Sequence, residues 1–147
     1  MKITICGSIA VYDEMLKIKS ELEKMTHKVN LPLGEIKDEN GSPISSQTYY
    51  QLRQDTSNPN SWLWKRKKEA ILEHFKKIGD GDAILVTNYD KNGVRNYIGG
   101  NTLMEMGLAL HLNKIIYLLN PIPEISYKEE ILGMQPKILN GNLELIK

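Results

Sequence analysis

Short apolar runs alternate with amphipathic stretches along this chain, the pattern that a parallel sheet flanked by helices leaves in a sequence. Lys2–Cys6 predicts a first strand, broken by Gly7-Ser8. Tyr12, Met15, Leu16, Ile18, Leu22 and Met25 then recur at helical spacing and predict a helix to about Lys24. Lys28–Leu31 predicts a second strand that stops at Pro32. Ile71, Phe75 and Ile78 predict a helix starting near Asn60 or Ser61, both good caps. Ala83–Thr87 is bounded by turn residues and predicts a buried strand. Beyond the turn-rich segment 88–100, Thr102–Leu112 predicts a helix, Lys114–Leu119 a strand, Ser126–Leu132 a short helix and Leu143–Ile146 a last strand.

Strands alternating with helices in this way predict an α/β fold. It is the flavodoxin-like doubly wound kind, a five-stranded, mostly parallel sheet with helices on both faces. No internal repeat or linker interrupts the 147 residues, so a single domain over 1–147 is expected. Ligands of such sheets sit beyond the carboxyl ends of the strands. That directs attention to Gly7–Ala10, Asn88–Gly100 and Asn120–Glu124. From Leu33 to about Asn60 the chain is polar, and only Tyr49, Tyr50 and Leu52 offer a packing face. A lid-like insertion over 33–60 with one short helix, Ser45–Arg53, is expected there.

Charge narrows the function. With 19 basic and 18 acidic side chains the net charge is +1, which argues against a nucleic-acid partner but leaves room for a local basic pocket. Lys65-Arg66-Lys67-Lys68 beside Trp62 and Trp64 reads as a solvated helix face. Cys6, the only cysteine, excludes an internal disulfide framework and reads as core packing. His27, His74 and His111 share no ligand spacing with carboxylates, so neither a metal nor a cofactor is expected. Residues 2–6 are too short for a signal peptide's apolar region, and no run approaches the roughly 18 apolar residues of a membrane span. The expectation is a cytoplasmic protein with no membrane partner.

The densest chemistry lies in Gly99-Gly100-Asn101-Thr102-Leu103-Met104-Glu105. Two glycines allow a sharp turn and close approach to a ligand, and the helix that follows aims its free N–H groups at the same place. Glu105, among Met104, Met106 and Leu108, would be partly desolvated. Thr102-x-x-Glu105 is equally a capping box, in which the glutamate satisfies an amide of the cap residue. The preceding loop adds Asn88, Asp90, Lys91 and Arg95 as candidate ligand contacts, the two cations suiting a phosphate. Gly7-Ser8 and Ile9 open the first helix and could contact a sugar or phosphate. Asp82 reads as a cap at the start of its strand.

Three of these segments together resemble a known family. Ile5-Cys6-Gly7-Ser8-Ile9, Asp82-Ala83-Ile84-Leu85-Val86 and Asn101-Thr102-x-x-Glu105-x-Gly107-x-Ala109 are similar, in order, to the nucleoside 2-deoxyribosyltransferase superfamily, which includes the deoxynucleoside 5'-monophosphate N-glycosidases. The resemblance implies a flavodoxin-like fold and a small-molecule nucleoside or nucleotide partner. It implies cleavage or transfer at the N-glycosidic bond, with Glu105 as the nucleophile that attacks the anomeric carbon. It also implies a homo-oligomer, dimer or larger. Gly7, Ser8, Ile9, Gly99, Gly100, Asn101 and Thr102 would shape the pocket.

Two positions depart from the family pattern. His74 stands where the family commonly has an acidic residue, and with an ordinary pKa of about 6.5 it could donate a proton to the leaving base. Gly99 stands where the transferases have an aspartate near the sugar hydroxyls. The glycine turn and Thr102-x-x-Glu105 also resemble the phosphoribohydrolases that release cytokinin-type bases. A non-catalytic nucleotide-binding module is the alternative that the loss of the aspartate favours.

Overall fold

Residues 1–147 are described by a computed structural model. Five strands form one sheet: β1 (Lys2–Cys6), β2 (Lys28–Asn30), β5 (Ala83–Val86), β6 (Ile115–Leu118) and β7 (Lys137–Ile138). Their order is β2-β1-β5-β6-β7 and every pairing is parallel. This is the α/β, flavodoxin-like arrangement expected from the alternation. Crossovers run through α1 (Tyr12–Lys24), α3 (Trp62–Gly79), α4 (Gly100–His111) and α5 (Lys128–Gly133). Ser61 caps α3 by accepting from the Leu63 amide, as its position predicts.

The period-2 pattern splits the core between the two faces of the sheet. Ile3, Ile5, Ala83, Leu85 and Tyr117 join Met15, Ile18 and Leu22 of α1 in one cluster. Cys6, Ile84, Val86, Ile116 and Leu118 join Ile78 of α3 and Met106 and Ala109 of α4 in the other. Asp82 does cap its strand's start, accepting from the Lys2 amide at 2.7 Å.

The fifth strand is not where apolar content places it. Leu143 and Ile146 are buried in the α1-side cluster, but Leu143–Leu145 is a 3-10 turn capped by Asn142. The strand is Lys137–Ile138, paired with Tyr117 and Leu118 and exposed along its length. An edge strand this short is held by backbone bonds, among them Leu139 N–H to Leu118 C=O at 2.8 Å, and needs no apolar signature.

Segment 33–60 carries more structure than one short helix. β3 (Glu35–Lys37) and β4 (Pro43–Ser45) form an antiparallel hairpin, followed by α2 (Ser46–Asp55). Asp38 shapes the turn, accepting from the amides of Asn40 and Ser42 at 2.9 Å each. The segment is tied to α3: Arg66 donates to the carbonyls of Lys37 and Asp38, and the Tyr49 hydroxyl to that of Leu63. No helix is long and apolar enough to cross a membrane.

Candidate active site

Strand parity sends the Cys6 side chain, the last of β1, toward α3 and α4 rather than α1. There Cys6 Sγ lies 3.5 Å from His74 Nε2, which lies 3.8 Å from Glu105 Oε1. All three side chains are buried. His74 reaches this place on the inner stripe of α3, Leu63-Lys67-Ile71-His74-Ile78, whose steps of four, four, three and four residues keep one face. Its N-terminal end leaves the core and becomes the wall of a cleft.

The cleft holds about 390 Å³ at the carboxyl edge of the sheet. Its floor and one side come from Gly7, Ser8, Ile9, His74, Gly99, Gly100, Asn101, Thr102 and Glu105. The opposite side comes from Leu33 and Ile36, from Tyr49, Tyr50 and Arg53 of α2, and from Lys67, Ala70 and Ile71 of α3. Lys91 and Tyr97 close the end. Lys91 donates to the Ser8 hydroxyl at 2.9 Å, and its ammonium lies 4.8 Å from the ring centroid of Tyr50 and 5.8 Å from that of Tyr97.

Glu105 is not a helix cap. α4 starts at Gly100 with Gly99 in the cap position, three residues before the box would require. Glu105 Oε1 instead accepts from the Asn101 side-chain amide at 2.8 Å, and Oε2 is buried with no partner. Burial raises its pKa from 4.5 to about 7, against the pull of the Cys6 thiol, the Lys67 charge and the Asn101 amide. Neither Gly99 nor Gly100 has positive φ, so the backbone there does not itself demand glycine. Gly7 does require glycine: at φ 154° a Cβ there would meet Thr87 Oγ1 at 2.4 Å.

His74 lines the cleft, but burial and then the Lys77 charge lower its pKa to about 4. At that value it is a neutral imidazole at pH 7. The fold does bring a histidine to a carboxylate, contrary to the spacing argument. The ligand atoms of Cys6, His74 and Glu105 lie within 4.8 Å of one another and are the residues that could hold a metal ion. Burial raises the Cys6 pKa well above 9.0, with the Glu105 charge adding to it, so the thiol stays protonated there.

Asn88, Asp90 and Arg95 do not reach the cleft wall. Asn88 is buried and donates to the carbonyls of Asn120 and Pro121 at 3.0 Å each. That clasp also takes the Asn120–Glu124 loop out of the site. Asp90 is occupied within its loop, accepting from the Asn96 amide at 2.9 Å. Arg95 is exposed.

Arg53, Lys67, Tyr49, Tyr50 and Tyr97 were not anticipated as site residues. Lys67 disappears in sequence within Lys65–Lys68, yet its place four residues from both Leu63 and Ile71 puts it on the buried stripe, not the solvated face. Its pKa is lowered to about 8 by burial and then by the Arg53 charge, while Glu105 opposes the shift.

A parallel sheet with a carboxylate and cations at its carboxyl edge defines an α/β protein with a cleft at the topological switch point of its sheet. No protein-family model matches the sequence, and no curated protein matches it. Among solved structures the fold is similar to that of a 2-deoxyribosyltransferase from Bacillus psychrosaccharolyticus. The TM-score is 0.50 at 16% identity, over 80% of this chain and 71% of that one. This establishes a distant fold relationship.

Proposed function

We propose that the protein cleaves or transfers at the N-glycosidic bond of a nucleoside or nucleoside 5'-monophosphate, with Glu105 as nucleophile. The observation that carries this reading is the asymmetry of the Glu105 carboxylate: one oxygen is held by Asn101 and the other is buried and unpartnered, on a residue that lines the cleft. Fold similarity to a 2-deoxyribosyltransferase supports it.

In this mechanism the ionised carboxylate forms an ester bond to the anomeric carbon as the bond to the base breaks. The base leaves with the bonding pair and takes a proton from water. Water, or a second base, then attacks the same carbon, and the carboxylate is released. Tyr50 and Tyr97 offer aromatic surface for the base. Neutral His74 packs beside Oε1 and positions the carboxylate.

The test is chromatography of free base released from a panel of ribo- and deoxyribonucleosides and their 5'-monophosphates. Glu105→Ala should abolish release; retained release contradicts the mechanism. Adding a second base separates transfer from hydrolysis. A binding module is the second reading, favoured by the Glu105 pKa of about 7. At that value half the molecules carry a carboxylic acid able to donate to a ribose hydroxyl.

A further inference from the structure

The cleft is unbalanced in charge. Arg53, Lys67 and Lys91 line it, and Glu105 is its only acidic side chain. None of the three cations enters an ion pair. Lys91 is engaged by the Ser8 hydroxyl and two tyrosine rings. Neither Arg53 nor Lys67 has a side-chain hydrogen bond like that of Lys91 to Ser8. The Arg53 guanidinium lies 5.0 Å from the Tyr49 centroid and 5.4 Å from that of Tyr50, and its Nε is buried without a partner. Lys67 makes no hydrogen bond, and the Arg53 charge bears on it unfavourably.

Two like charges from two helices, held together on one cleft wall, cost free energy unless an anion joins them. Glu105 cannot serve both, because its Oε1 is taken by Asn101 and a single carboxylate leaves the cleft positive. We propose that Arg53 and Lys67 form a phosphate subsite, and that the substrate is a nucleoside carrying a phosphomonoester on its sugar. This rests on the glycosidic reading above for the nucleoside, and on the cation pair alone for the phosphate. A phosphomonoester has the double charge that two cations neutralise, and an arginine fork matches its oxygens. The rings beneath Arg53 limit its rotamers, so less side-chain freedom is lost on binding.

The test measures affinity by isothermal titration for nucleosides, their 5'- and 3'-monophosphates and inorganic phosphate, in wild type, Arg53→Gln, Lys67→Gln and the double variant. A phosphorylated nucleoside should bind about tenfold or more tightly than the free nucleoside, and each variant should lose about tenfold more affinity for the phosphorylated nucleoside than for the free one. Lys67→Arg, which keeps the charge, should retain the preference even if the glutamine variants fold poorly. Equal affinity for nucleoside and nucleotide, an unchanged preference in the folded double variant, its loss in Lys67→Arg, or no binding of any phosphorylated nucleoside overturns the subsite. Failure of the two proposals is distinguishable. Tight nucleotide binding without base release keeps the subsite and removes the glycosidase, whereas release from nucleosides and nucleotides at equal kcat/KM does the reverse.

Discussion

The Asn101 side chain holds Glu105 by one oxygen only. Its amide donates to Oε1 at 2.8 Å from one helical turn earlier, and Oε2 is left buried without a partner. A carboxylate fixed in this way presents a single oxygen in a set direction, which suits attack at one carbon better than symmetrical solvation does. Both residues sit in the first half of α4, so the geometry is built into one rigid element.

Removing that anchor should therefore cost rate more than stability. A hydrogen bond to a charged group contributes about 1.5–3 kcal/mol, so Asn101→Ala should lower kcat/KM for base release by about tenfold to hundredfold. Thermal denaturation of the same variant should show a change of only a few degrees. A variant with wild-type kinetics would show that Oε1 needs no anchor.

Glu105 and His74 make opposite contributions to the pH dependence of stability. The folded pKa of Glu105, about 7, is above its ordinary 4.5, so the folded state holds the extra proton between those values. Its contribution is complete below pH 4.5 and lost as pH rises through 7. His74, lowered from 6.5 to about 4, contributes stability above pH 6.5 that is lost as pH falls through 4. Glu105→Gln removes only the first slope. Its stability relative to wild type, read from melting curves, should rise from pH 5 to pH 7.5 and then level off, by an amount on the order of 3 kcal/mol at most. In the wild type, kcat/KM should climb with pH on a limb centred near 7, as the nucleophile ionises. A melting difference flat across this range would show that Glu105 titrates normally.

The glycines of the site differ in what they tolerate. A Cβ on Gly7 would stand 2.4 Å from Thr87 Oγ1 and 3.0 Å from Met15 Cε, between the end of β5 and α1. Gly7→Ala should destabilise by about 1–3 kcal/mol, as overpacking does. Gly100 has nothing within 4 Å of such a Cβ and no positive φ. Gly100→Ala should be neutral or stabilise by up to about 1 kcal/mol. Urea unfolding of the two variants checks both signs.

Periodicity made most of the sheet legible, because β1, β5 and β6 bury both faces and α1 and α4 carry apolar positions at helical spacing. β7 was hidden for the opposite reason: Lys137 and Ile138 are exposed and paired to the sheet through backbone bonds. The hairpin β3–β4 was hidden because the Asp38 turn that closes it lies in a uniformly polar stretch. In the site, Glu105 and the Gly7-Ser8 turn were legible from motif and position. Arg53 was not, since its place depends on how α2 docks against α3 through Tyr49 and Leu63. The approach of Cys6 to His74 joins residues 68 apart in sequence, and no local spacing encodes it.

The central claim is that Glu105 becomes covalently bonded to the sugar. Wild-type protein quenched during turnover of a base-releasing substrate, then digested and weighed by mass spectrometry, should carry one glycosyl group on the peptide containing Glu105. The same peptide from Glu105→Gln should carry none. Rapid base release with no adduct on that peptide, or an adduct on a different residue, would contradict the account.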